Sequence, residues 1–153
     1  MKNVTKSEGL AEVKLAYRTT VNPETCPKIQ SSQNAADLIR SVFSEDDIER
    51  IEIFALLLLS RSNRVLGWAK ISQGGVSATV VDAKVVFQTA LLANASSIIL
   101  THNHPSGNTT PSEQDKMITK RIKEGGKLLE IEVLDHIIIT KESYYSFADE
   151  GII

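Results

Sequence analysis

Several things are scarce in this sequence, and each scarcity excludes something. There is one cysteine, Cys26, in 153 residues, so no internal disulfide forms and the chain reads as a protein of a reducing compartment. No long apolar run is present. The longest, Ile53 to Leu59, is far short of the ~20 residues a membrane-spanning helix needs. The first residues, Met1 to Glu8, contain no apolar stretch of the kind that marks a signal peptide. The expectation is therefore a soluble cytoplasmic protein with no membrane partner. Neither charge sign dominates, with 17 basic against 19 acidic residues and a net charge of −2. A dedicated nucleic-acid binder usually carries a basic excess, so charge does not support such a partner and leaves it only a local patch.

What is present suits one ordinary domain. The length is close to the usual size of a domain, and 42% apolar residues are enough to fill a single core. Glu12 to Arg18 alternates polar and apolar residues, as a half-buried strand does, and as an edge strand it could pair with a second chain. Pro23 and Pro27 mark Asn22 to Ser31 as an extended connection, so residues 1–30 read as a lead-in and 31–153 as the domain. Ser32 could cap a helix with Ala35, Leu38, Ile39, Val42 and Phe43 on its apolar face. Ser44 starts a second, shorter helix. Ile51 to Ser60 and Val65 to Ile71 read as a strand hairpin turning at Arg61 to Arg64, and Gly74-Gly75 as a loop. Ala83 to Ala95 reads as a largely buried helix, and Ser97 to Thr101 as a core strand followed by a polar loop from His102 to Pro111. Ser112 to about Lys127 reads as an exposed amphipathic helix that turns Met117, Ile118 and Ile122 inward and ends at Gly125-Gly126. Ile131 to Thr140 and Tyr144 to Phe147 are two further strands. Interleaved strands and helices predict an α/β domain.

The chain has three histidines, and two of them, His102 and His104, are one residue apart. Residues two apart at a strand end point to the same side, so the pair places two imidazoles on one face just beyond the core strand. The loop through Pro105 and Gly107 turns the chain back, and Asp115 falls in the first turn of the next helix, where its carboxylate can meet them. Two nitrogens and one carboxylate oxygen are the ligand set of a catalytic zinc site with an open fourth position, at which the pKa of water falls to ~7. Ser112 and Asp115 also have the spacing of a helix-capping box. The two roles are compatible, since a capped helix start holds Asp115 still.

The segment from His102 to Asp115 resembles the metal-binding signature of the JAMM (MPN-plus, or JAB) metalloproteases: His-x-His, seven residues, Ser, two residues, Asp. Here the four positions are His102, His104, Ser112 and Asp115, with no departure in spacing. The surrounding text, His102-Asn103-His104-Pro105-Ser106-Gly107 and later Leu134-Asp135-His136-Ile137-Ile138, is similar to the RadC-like branch, and the likeness runs from Ile51 to Ile153. Asp82-Ala83-Lys84 replaces the Pro-Arg-Glu common in that branch, and the helix-hairpin-helix module of longer members is not recognisable.

The resemblance implies a single JAB/MPN-like domain, akin to the cytidine deaminases in architecture, with a curved, mixed, mainly antiparallel sheet flanked by helices. It also implies one zinc ion per chain and a peptide or protein substrate. By the same resemblance Glu52, two residues before Phe54, is the proton-shuttling base, with Glu49 as its nearby rival. Ser112 is the group that steadies the oxyanion, or else simply the helix cap. The function implied is a zinc metallohydrolase, a peptidase or isopeptidase. The alternative is a DNA-repair or DNA-processing accessory protein without peptidase activity, and a third reading is a metal-stabilised interaction module. A zinc nucleoside deaminase is excluded, because it needs His-x-Glu and Pro-Cys-x-x-Cys and the chain has one cysteine.

Outside this segment the readings are plainer. His136 reads as a satisfied core histidine rather than a group behind the metal site. Trp68 and Tyr17 read as packing residues. Cys26 has no paired base and is not a nucleophile. Lys120, Arg121, Lys123 and Lys127 read as a solvated face or a site for an acidic partner.

Overall fold

The computed structural model describes residues 10–14, 16, 18–74 and 79–153. Its elements are a 3-10 turn (Pro23–Thr25), α1 (Ser32–Val42), α2 (Glu45–Ile48), β1 (Ile53–Leu59), β2 (Val65–Gln73), α3 (Ala83–Leu92), β3 (Ser97–Asn103), α4 (Glu113–Leu129), β4 (Glu132–Ile139) and β5 (Tyr144–Ser146). The five strands form one sheet in the order β2-β1-β3-β4-β5. Only the β3–β4 pair is parallel; its crossover is α4. This is the expected single α/β domain with a mixed, mainly antiparallel sheet. Among the described residues no helix is long and apolar enough to cross a membrane.

Both faces of the sheet are covered, which explains why β1 and β3 are buried along their whole length and why β1 is apolar without alternation. One face carries Ile53, Ala55, Leu57, Leu59 and Ile99 against Ala35, Ala36 and Ile39 of α1. The other carries Phe54, Leu56, Leu58, Ile98 and Leu100 against Val86 and Ala90 of α3 and Ile122 of α4. The period of two along β3 therefore sends His102 to the α3/α4 face and Asn103 to the α1/α2 face.

Several local expectations change. Among the described residues of 12–18 no strand forms: these residues are exposed and pair with no described strand, and an isolated alternating segment has no hydrogen-bonding reason to be a strand. Leu15, Tyr17 and Gly75 lie outside the described residues. The cap of α1 is Ser31, whose side chain accepts from Asn34 N–H, while the hydroxyl of Ser32 donates to Asp149. Helix α3 is only half covered; Val86 and Ala90 are buried, whereas Val85, Leu91 and Leu92 are exposed. Trp68 sits on the edge strand and is 43% exposed, so it packs little. Cys26 is buried and donates its S–H to the Asn22 carbonyl, in keeping with a structural cysteine.

Helix α4 does not stop at Gly125-Gly126. It runs to Leu129 and reverses at Glu130, which adopts the left-handed conformation with φ 55°. That reversal lays Ile131 directly over Gly126, whose carbonyl accepts from Ile131 N–H at 2.9 Å. A Cβ at Gly126 would overlap the backbone oxygen of Ile131. The glycine is thus a close-approach residue, and what looks like a helix breaker is a packing requirement.

Gly126→Ala tests this with opposed signs. Helix propensity alone would stabilise the substitution by ~1 kcal/mol; the clash with Ile131 predicts a net loss of about 2 kcal/mol or more. A fall in the urea midpoint is expected, and a rise would show that the close approach is not needed.

Candidate metal centre

The strand is longer than its apolar stretch suggests. β3 continues through His102 and Asn103, so His102 is a buried strand residue, 1% exposed, rather than the start of a loop. His104 follows at the strand's end, its backbone N–H held by the Ile139 carbonyl at 3.0 Å. Asp115 stands at the third position of α4, in a complete capping box. Ser112 O–H and N–H both donate to Asp115 Oδ2 at 2.7 Å, and Asp115 N–H donates back to Ser112 Oγ at 3.1 Å. The carboxylate then meets both imidazoles: His102 Nε2 lies 3.2 Å from Oδ1, and His104 Nε2 lies 3.6 Å from Oδ2. The two Nε2 atoms are 2.9 Å apart. Burial works against ionisation of Asp115, but the two imidazoles beside it and the Ser112 hydroxyl hold its carboxyl well below the usual range.

Hydrogen bonding behind the cluster decides which nitrogen atoms face it. Thr119 Oγ donates to the Asp115 carbonyl at 2.6 Å. A hydroxyl has one proton, so its contact with His136 Nδ1 at 2.6 Å must be an acceptance from His136 Nδ1–H. His136 is fully buried, stacked on Phe147 and edge-on to Phe54, and burial pushes its pKa well down. Neutral and protonated on Nδ1, it can only accept at Nε2, and it does so from His102 Nδ1–H at 2.8 Å. His104 Nδ1–H is likewise committed to the Asn108 carbonyl. Both ligand histidines therefore turn Nε2 inward. Two nitrogen lone pairs and a carboxylate oxygen converging on one small volume are acceptors without a donor, an arrangement that a cation satisfies. Without a cation, a proton on His104 fills part of that need, since the hydrogen bond to Asp115 raises its pKa. His102, His104 and Asp115 can thus hold a metal ion.

His136 is a buried histidine with both ring nitrogens satisfied, as expected, but it also stands behind the cluster, because one of its partners is His102. The signal for it was present, because Asp135-His136 sits in an otherwise apolar strand and buried polar groups need partners. Thr119 and Asn103 carried no comparable signal. Asn103, fully buried on the opposite face, accepts from Ile53 N–H at 2.8 Å and donates to the carbonyls of Ile48 at 2.9 Å and Ile51 at 2.7 Å. It clamps the segment that carries Glu52. Glu52 lines one cleft of about 660 Å³ together with Phe54, His104, Ser112 and Asp115. Burial raises its pKa above the ordinary glutamate value. Glu49, the rival, is on the surface in an ion pair with Lys141. The Ser112 hydroxyl spends its proton on Asp115, so the capping role is the one it plays here. The basic residues of α4 divide. Arg121 lines the same cleft, whereas Lys123 and Lys127 line a different cavity at the other end of the sheet.

The sequence model of the RadC-like JAB domain matches residues 29–152. The chain belongs to the RadC-like JAB domain family. Its relatives include UPF0758 proteins of Flavobacterium johnsoniae, 46% identical over 125 residues that make up 82% of this chain and 53% of the relative, and of Desulfitobacterium hafniense, 38% identical over 148 residues, 96% and 64%. A third, from Geotalea uraniireducens, is 48% identical over 103 residues, 67% and 45%. The chain thus spans about half to two thirds of the length of these curated relatives. In this RadC-like domain the match takes in the whole cluster from Glu52 to Asp115.

Beside His136, Asp135 accepts from the N–H groups of His136 and Ala148 and from the Ser146 hydroxyl. Burial raises its pKa, and those hydrogen bonds offset only part of the rise. A folded pKa above the unfolded one, ~3.9, means that the fold favours the protonated form. That stabilisation is complete below the unfolded value and is lost as pH rises through the folded one. The unfolding free energy of the wild type relative to Asp135→Asn should therefore decline from about pH 4 to pH 7. A difference that grows with pH would contradict the assignment.

Proposed function

We propose that this RadC-like domain is a zinc-dependent hydrolase of the JAMM type that cleaves amide bonds in a peptide or protein substrate, as a peptidase or isopeptidase. The observation that carries the reading is the convergence of His102 Nε2, His104 Nε2 and the Asp115 carboxylate beside a cleft that also contains a half-buried glutamate. Three ligands of this kind suit zinc with one position left open. A zinc ion held by these residues supplies Lewis acidity, polarising a carbonyl and acidifying water.

The rest of the chemistry falls to the chain. The Glu52 carboxylate takes the proton of the attacking water and returns it to the departing amine nitrogen, a role served by a pKa that burial brings nearer to neutrality. The Ser112 hydroxyl, freed from Asp115 by rotation about its C–O bond, donates to the oxyanion of the tetrahedral intermediate. Throughout, His102 and Asp115 keep their orientation because Thr119 and His136 link them from behind.

The test is hydrolysis of a panel of peptide and isopeptide substrates by zinc-loaded protein. Turnover should vanish with a chelator, return on adding zinc, and fall by ~10³-fold or more in Glu52→Gln with the fold intact. Turnover that survives chelation or Glu52→Gln would overturn the reading. Salt-dependent DNA binding without turnover of any substrate would favour the DNA-processing alternative instead.

A further inference from the structure

The face of α4 that lines the cleft is Gln114, Met117, Ile118 and Arg121, the i, i+3, i+4, i+7 stripe of one helix side. Its composition is unusual for a surface. Met117 is 68% exposed although it is a large apolar side chain, and across the cleft Val80 is 83% exposed. Met117 was expected to face inward; it faces the cleft because the inward positions are taken by Thr119 and Ile122. Beyond this apolar stretch stands Arg121. Among the described residues lining the cleft it is the one arginine or lysine, and among the described residues it makes no ion pair, although Glu124 is three positions along the same helix. It lies six positions beyond Asp115 on the helix, an axial distance of ~9 Å. An extended peptide advances ~3.3 Å per residue, so a group two to three residues from the scissile bond reaches the guanidinium.

We infer that Arg121 is a specificity-determining residue that receives a carboxylate of the substrate two to three residues from the scissile bond, the intervening apolar side chain resting on Met117, Ile118 and Val80. The guanidinium offers a planar pair of donors matched to a carboxylate. The carboxylate is either a free chain terminus or an acidic side chain. This inference rests on the cleft being the substrate site proposed above, but it concerns recognition, so binding tests it without turnover.

The experiment uses the zinc-loaded full chain in the Glu52→Gln background and calorimetry with three N-acetylated, leucine-rich pentapeptides. One ends in a free carboxylate, one in a carboxamide, and one in a carboxamide preceded by glutamate. At least one of the two acidic peptides should bind about tenfold tighter than the neutral one, and which of them does so identifies the source of the carboxylate. Arg121→Gln, at an exposed position, should close that gap, and Arg121→Lys should keep part of it. Equal binding of acidic and neutral peptides, no binding of any of them, or a gap that persists in Arg121→Gln would overturn the inference. Carboxylate-selective binding by a wild type that hydrolyses nothing would overturn the hydrolase reading while leaving Arg121 as a carboxylate-recognising residue of the cleft.

Discussion

The structure of this site depends on one hydrogen-bonded relay. Thr119 on α4 gives its proton to the Asp115 carbonyl one turn back and accepts one from His136 on β4, which accepts one from His102 on β3. Three consecutive elements are joined through a threonine and a histidine that do not themselves face the cleft. The relay does two things at once. It holds the strand bearing the first histidine against the helix bearing the carboxylate, and it settles the tautomer of His102 so that Nε2 is free to act as a ligand. Burial of His136 between Phe54 and Phe147 is part of the device, because a charged His136 would have no lone pair to offer.

The sheet makes such a relay feasible by keeping two faces chemically separate. The α3/α4 face of β3 carries His102 toward the cluster. The other face carries Asn103, whose side-chain amide ties down the α2–β1 connection and, with it, the start of the strand after Glu52. Consecutive residues of one strand thus govern the two halves of the candidate site, the histidine cluster on one side and the Glu52 segment on the other. The parallel pairing of β3 with β4 brings the ends of both strands to the same edge, where the capping box of α4 delivers Asp115.

Much of this was legible beforehand because it is local. The spacing of His102, His104, Ser112 and Asp115 is set by one strand end, one turn and one helix start, all within fourteen residues, and elementary periodicity places them together. The buried first strand of the hairpin and the core strand are equally local readings of apolar runs. What stayed hidden is what the tertiary pairing decides. Two-residue alternation puts Val133 and His136 on opposite faces of β4. In the sheet Ile98 pairs with Val133 but Ile99 pairs with Asp135, so Leu134 has no partner. That bulge shifts the parity and turns His136 to the face of His102. Gly126 and Met117 depart from the sequence pattern for a related reason: each serves an approach, to Ile131 or to the open cleft, that a helical wheel does not contain. Residues 12–18 alternate like a strand, but alternation alone supplies no partner.

The relay and the metal-binding geometry both depend on the protonation of three imidazoles, and ring-nitrogen NMR of the zinc-loaded, 15N-labelled protein reads these directly. His102, His104 and His136 should each carry a single proton on Nδ1, with the Nε2 signals of His102 and His104 shifted by the metal and that of His136 showing an unprotonated acceptor. A proton on Nε2 of His102, or a His136 protonated on Nε2 or on both nitrogens, would contradict the relay and the ligand geometry built on it.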